Sequence, residues 1–198
     1  MSAYTFAKQA LVAALALGAA TVSATPLQYA SEKRDASTFN IKVHNNCGFE
    51  KSVALYQISS SFEMIQKSDP TTIPAGGHTT VVAPYTESGM RLSGHAEWPI
   101  GNQWNAQALF EFGYSTFSSV EGTAYDLSVM EGSDSDIGIG AYPVPNGAGS
   151  SNCPKKTCFP WDCPLDQGWT NEDQVNDGSP ADTTCYKGKT DFKVVFCP

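Results

Sequence analysis

Six cysteines, none before residue 47, constrain this chain more than any other feature: Cys47, Cys153, Cys158, Cys163, Cys185 and Cys197. They sit behind a leader that directs the chain into an oxidising compartment. Lys8 precedes an apolar run, residues 10–20 (ALVAALALGAA), and Val22-Ser23-Ala24 follows as a small-residue cleavage site. The run is far shorter than the ~20 residues of a membrane span, so residues 1–24 read as a signal peptide. Residues 25–34 end in Lys33-Arg34, a dibasic processing site, and read as a propeptide. The mature protein is then expected to be a single domain over 35–198. An even cysteine count in a secreted chain implies three disulfides, with 15 possible pairings. The C-x4-C-x4-C spacing of Cys153, Cys158 and Cys163 is not the paired C-x2-C of common zinc sites.

Charge narrows the partners. Without residues 1–34 the chain carries 9 basic and 19 acidic side chains, a net charge of about −10. Such a surface repels nucleic acid and anionic membranes and suits neutral polysaccharides or a protein partner. His44, His78 and His95 show no i, i+4 pairing, and Asp134 and Asp136 lack an EF-hand pattern, so no metal and no cofactor is expected. Ser59–Ser61 have no nucleophile-elbow context.

Strand patterns dominate. Residues 38–43 alternate Phe39, Ile41 and Val43 with polar side chains. Strands are also predicted at 52–58, 78–83 after a turn at 73–77, 89–96, 108–114, 124–130 and 192–196. Short strands separated by Gly, Pro and Ser turns predict an all-β sandwich. Residues 138–191 are dense in Gly, Pro, Asn and Asp and hold four cysteines. They read as a long disulfide-tied loop region with one short helix near 171–176.

Four stretches together resemble the thaumatin-like proteins, and in particular a small secreted fungal branch that includes yeast-phase-specific antigens. These are Phe39-Asn40-Ile41-Lys42-Val43-His44-Asn45-Asn46-Cys47, the turn and strand at 73–82, the pair Leu109-Phe110-Glu111-Phe112 and Ala124-Tyr125-Asp126-Leu127-Ser128-Val129-Met130-Glu131-Gly132, and the cysteine pattern of the tail. The resemblance implies a thaumatin-like β-sandwich with a disulfide-rich loop region. It also implies the pairing Cys47–Cys197, leaving Cys153, Cys158, Cys163 and Cys185 to pair among themselves in one of three ways.

Larger thaumatin-like proteins have an acidic cleft of one Arg, one Glu and three Asp, and some hydrolyse β-1,3-glucan weakly. By the resemblance, Glu111 matches the Glu, Asp126 the first Asp, and Glu131 stands where the second Asp would be. The Arg position falls near His95, Arg91 matches a different arginine, and the last Asp has no assigned counterpart. As an enzyme the chain would use Glu111 as acid with Asp126 or Glu131 as partner, since glycoside hydrolysis needs two carboxyls flanking the bond. As a binder it would use His95, Trp98, Trp104, Glu111 and Asp126, because exposed indoles in loops stack on sugar rings. The expectation is a secreted monomer acting at a cell wall or host surface. It binds β-glucan or a host extracellular protein with little or no catalysis. The alternatives are a weak endo-β-1,3-glucanase and an effector or inhibitor of a host enzyme.

Overall fold

An alternating strand has one apolar face and must lay it against another sheet. The computed structural model, which describes residues 37–61, 63–96, 108–130, 137–144, 153–186 and 188–198, meets this demand with two packed sheets. The strands are β1 (Thr38–Asn45), β2 (Lys51–Ile58), β3 (Met64–Gln66), β4 (Thr71–Ile73), β5 (His78–Pro84), β6 (Met90–Ser93), β7 (Leu109–Ser115), β8 (Gly122–Ser128), β9 (Ile139–Val144), β10 (Lys156–Cys158), β11 (Thr183–Tyr186) and β12 (Asp191–Phe196). One sheet runs β10-β9-β12-β1-β5. The other runs β11-β8-β7-β6-β2-β3, with β4 also paired to β2. All pairings are antiparallel except β1 with β12.

The core lies between the sheets. Phe39, Ile41 and Val43 of β1, Phe192, Val194 and Phe196 of β12, and Ile139 and Ala141 of β9 meet Met90, Leu92, Phe110, Phe112, Tyr125 and Leu127. Phe39 packs edge-on against Phe112 at 5.2 Å, and Phe192 lies 4.8 Å from Tyr125. Each such buried side chain contributes about 1.5–3 kcal/mol. The all-β sandwich with a disulfide-tied region is the fold class expected.

The tail is more ordered than expected. Residues 138–191 contain β9, β10 and β11, and β9 sits inside the five-stranded sheet, hydrogen-bonded to both β12 and β10. Glycine and proline hid it. Gly140 has no side chain because the Tyr142 ring covers it, leaving 2.8 Å for a Cβ. Pro143 stands in the strand opposite Phe192. The expected short helix is a 3-10 helix, Glu172–Asp177, capped by Asn171, whose side chain accepts from Asp173 N–H at 3.0 Å. It ends at Gly178, whose φ of 82° favours glycine.

Three disulfides close the fold: Cys47–Cys197, Cys153–Cys185 and Cys158–Cys163. The first joins the ends of the neighbouring strands β1 and β12. The other two lie within the segment that carries β10, the 3-10 helix and β11: Cys153–Cys185 joins its start to β11, and Cys158–Cys163 ties the end of β10 to the loop after it.

Candidate functional site

Register builds the site. Core residues on β6, β7 and β8 alternate with residues pointing to the other side of the seven-stranded sheet. Arg91 is opposite Glu111, and Glu111 is opposite Asp126. The three form a row across adjacent strands, on the face away from the sandwich core. All are buried; Glu111 is 8% exposed and Asp126 1%.

Arg91 Nε donates to Glu111 Oε1 in a buried ion pair. Its guanidinium also reaches Met64 Sδ at 3.4 Å. Burial pushes the Asp126 carboxyl well above its ordinary pKa, and the charges of Glu111 and Asp182 and a hydrogen bond to Glu111 push it the same way. Its Oδ1 has no hydrogen-bond partner among the described residues. Burial and the neighbouring acids thus favour the neutral form of Asp126, against the opposing charge of Lys156.

The segment from 153 to 186 closes over the row. Trp169 is buried, and its backbone is stitched to β8 by Trp169 N–H to Leu127 O (2.8 Å) and Val129 N–H to Trp169 O (2.9 Å). Its indole Nε1 donates to Asp182 Oδ1 at 2.9 Å. Burial raises the Asp182 pKa; the Trp169 hydrogen bond opposes this, and Glu111 reinforces it. Lys156 is fully buried and donates from Nζ to Ala181 O, with its ammonium 5.3 Å from the Tyr125 ring. Burial lowers its pKa, while Asp126, Asp182 and Asp166 hold the charged form.

The structure brings Glu111 and Asp126 together. It adds three residues that sequence reasoning did not place: Arg91, Asp182 and Lys156. The arginine facing Glu111 is Arg91, which the resemblance matches to a different arginine of the family. His95 lies past the end of β6, half-buried, with its N–H on Ser93 Oγ at 3.0 Å and a backbone bridge to Ser52. Glu131, Trp98 and Trp104 lie outside the described residues. Of the other tryptophans, Trp169 belongs to the buried site and Trp161 is 65% exposed, beside Phe159.

The chemistry of the row is restrictive. Glycosidases hold their two carboxyls about 5–5.5 Å or about 6.5–9.5 Å apart, with the sugar between them. Here Asp126 is directed at Glu111, and Glu111 is neutralised by Arg91. The Asp126 pKa is raised, as a general acid requires, but both carboxyls are enclosed by the fold.

No protein-family profile and no curated protein sequence matches the chain. Among solved structures it is similar to the protein elicitor MoHrip2 from Magnaporthe oryzae. That likeness has a TM-score of 0.53 and 16% identity, covering 81% of this chain and 99% of the elicitor. It shows a shared fold. The thaumatin-like xylanase inhibitor TLXI aligns with a TM-score of 0.49 at 13% identity, over 80% of this chain and 99% of the inhibitor.

Proposed function

We propose that the protein is a secreted, thaumatin-like binding protein that acts as a monomer on a host extracellular protein, with little or no catalysis. The carrying observation is the Arg91–Glu111–Asp126 ladder: of the three candidate catalytic carboxyls, the two among the described residues, Glu111 and Asp126, are buried, and Glu111 is paired with Arg91. The description of a fold neighbour as a protein elicitor fits this reading. So do three disulfides, which suit an oxidising extracellular setting. Inhibition of a host enzyme is one form such binding would take, and β-glucan binding is the polysaccharide form of the same idea.

A weak endo-β-1,3-glucanase is the second reading, favoured by the raised pKa of Asp126 beside Glu111. Reducing-sugar release from a soluble β-1,3-glucan separates the two. The disulfide-complete protein is expected to release none. Release that disappears in a folded Glu111→Gln variant would establish a hydrolase. With no release, pull-downs on wall polysaccharides and host extracellular proteins identify the partner class.

A further inference from the structure

Two of the three histidines, far apart in sequence, meet on the outer face of the five-stranded sheet. His44 of β1 is opposite His78 of β5, and their rings stack at 5.4 Å with 21° between planes. One row along, Lys42 of β1 is opposite Lys193 of β12. Because Ile41 and Val43 point into the core, Lys42 and His44 point outward. Four basic side chains thus form a compact array over β5-β1-β12. Lys193 Nζ lies 5.9 Å from the Tyr142 ring of β9. Asp191, one row from Lys193 on the same face of β12, is engaged by Lys189 Nζ and Asn40 N–H at 2.9 and 2.8 Å.

Like charges placed directly opposite one another weaken a sheet. This face has one such pair, Lys42 with Lys193, in the row next to the stacked histidines, in a chain with a large excess of acid. The groups facing His44 are Lys42 on its own strand, His78 on β5, Lys193 on β12 and the uncharged Tyr142 on β9. Burial and then Lys193, His78 and Lys42 hold the His44 pKa below its ordinary value, and no acid offsets them. The arrangement is complementary to an anion, and the rest of the acidic surface repels one.

We infer that the outward face of β5-β1-β12-β9 binds an anionic polysaccharide, with its carboxylates or sulfates over Lys42, Lys193, His44 and His78 and a sugar ring against Tyr142. The backbone groups of β1, β12 and β9 are already used in ladders on both sides, so a peptide finds main-chain pairing only along the outer edge of β5 and not over this face. A stiff glycan with its anions fixed on the rings matches the flat grid of cations. The site lies on the sheet opposite the Arg91–Glu111–Asp126 ladder and does not depend on the role of that ladder.

The test is calorimetric titration of the disulfide-complete protein with oligogalacturonate, a heparin oligosaccharide, polyglutamate and a neutral β-1,3-gluco-oligosaccharide. Binding of either anionic glycan is expected, and it should tighten at acidic pH, where protonation of His44 adds positive charge to the face. The Lys42→Gln/Lys193→Gln variant is expected to bind about tenfold or more weakly, in line with the loss of two phosphate-like contacts. His44→Gln is expected to weaken the pH dependence, and the His44 ring resonances of the parent protein should titrate at higher pH when glycan is bound. Preference for galacturonate or for heparin distinguishes carboxylate from sulfate recognition. No anionic glycan binding, equal binding of the neutral oligosaccharide, insensitivity to the lysine substitutions, or equally tight polyglutamate binding would overturn the inference.

Discussion

The Trp169 indole N–H donates to Asp182 Oδ1 at 2.9 Å, and Asp182 in turn lies within the field of Glu111. This contact links the disulfide-tied segment to the charged row of the seven-stranded sheet. Replacing Asp182 with Ala leaves a buried donor without its acceptor, and such a loss costs about 1–3 kcal/mol. Urea unfolding followed by circular dichroism should show that decrease. A change within error would mean that the bond does not secure the segment.

Glu111→Gln is expected to be more damaging. It removes the carboxylate that neutralises a buried Arg91. Breaking one half of a buried pair costs about 3–5 kcal/mol. Replacing both partners with apolar residues, Arg91→Met with Glu111→Leu, should recover much of that loss, because no buried charge is then left alone. Unfolding midpoints of the two variants, measured side by side, test the ladder's structural role.

The pH dependence of stability has a definite sign. Burial first, then Glu111 and Asp182, raise the folded-state pKa of Asp126 above the unfolded value of about 3.9. The folded protein therefore holds this proton more tightly than the unfolded chain does. The resulting stabilisation is full below about pH 4 and is lost as pH rises through the folded-state pKa. Asp182 is shifted in the same direction. Asp126→Asn should flatten the fall in stability between acidic and neutral pH, as read from melting temperatures across that range. An unchanged slope would place the titration elsewhere.

The disulfides should rank by the loops they close. Cys47–Cys197 spans 150 residues and Cys158–Cys163 spans 5. Loop-closure entropy gives about 5 kcal/mol for the first and about 2 kcal/mol for the second. Paired Cys→Ser variants, compared by denaturant midpoint, should preserve that order.

The sequence was most readable where alternation is strict. Phe39, Ile41 and Val43 mark β1, and Phe110 and Phe112 flank Glu111 on β7, so these strands and the outward direction of Glu111 followed from pattern alone. β9 was not readable, because Gly140 and Pro143 occupy positions where a strand normally carries a side chain or a donor. At the site, Glu111 and Asp126 lie on strongly patterned strands. Arg91 carries a usable signal: it stands between Met90 and Leu92, both core residues, and so shares the outward parity of Glu111. Asp182 and Lys156 had no such signal. Their places depend on how a glycine- and proline-rich segment returns to the sheet, which local periodicity does not encode.

The parallel pairing of β1 with β12 has a consequence for how the molecule is made. The middle of the five-stranded sheet joins the first strand of the domain to the last, and Cys47 waits for Cys197. Contacts this distant along the chain form slowly, since most of the polypeptide must already be ordered between them. During synthesis the edge of β1 that pairs with β12 stays without its partner until residues 191–196 have been made. Loss of even the last strand would remove Phe192, Val194 and Phe196 from the core together. A truncated product would therefore be a substrate for quality control, not a smaller working protein.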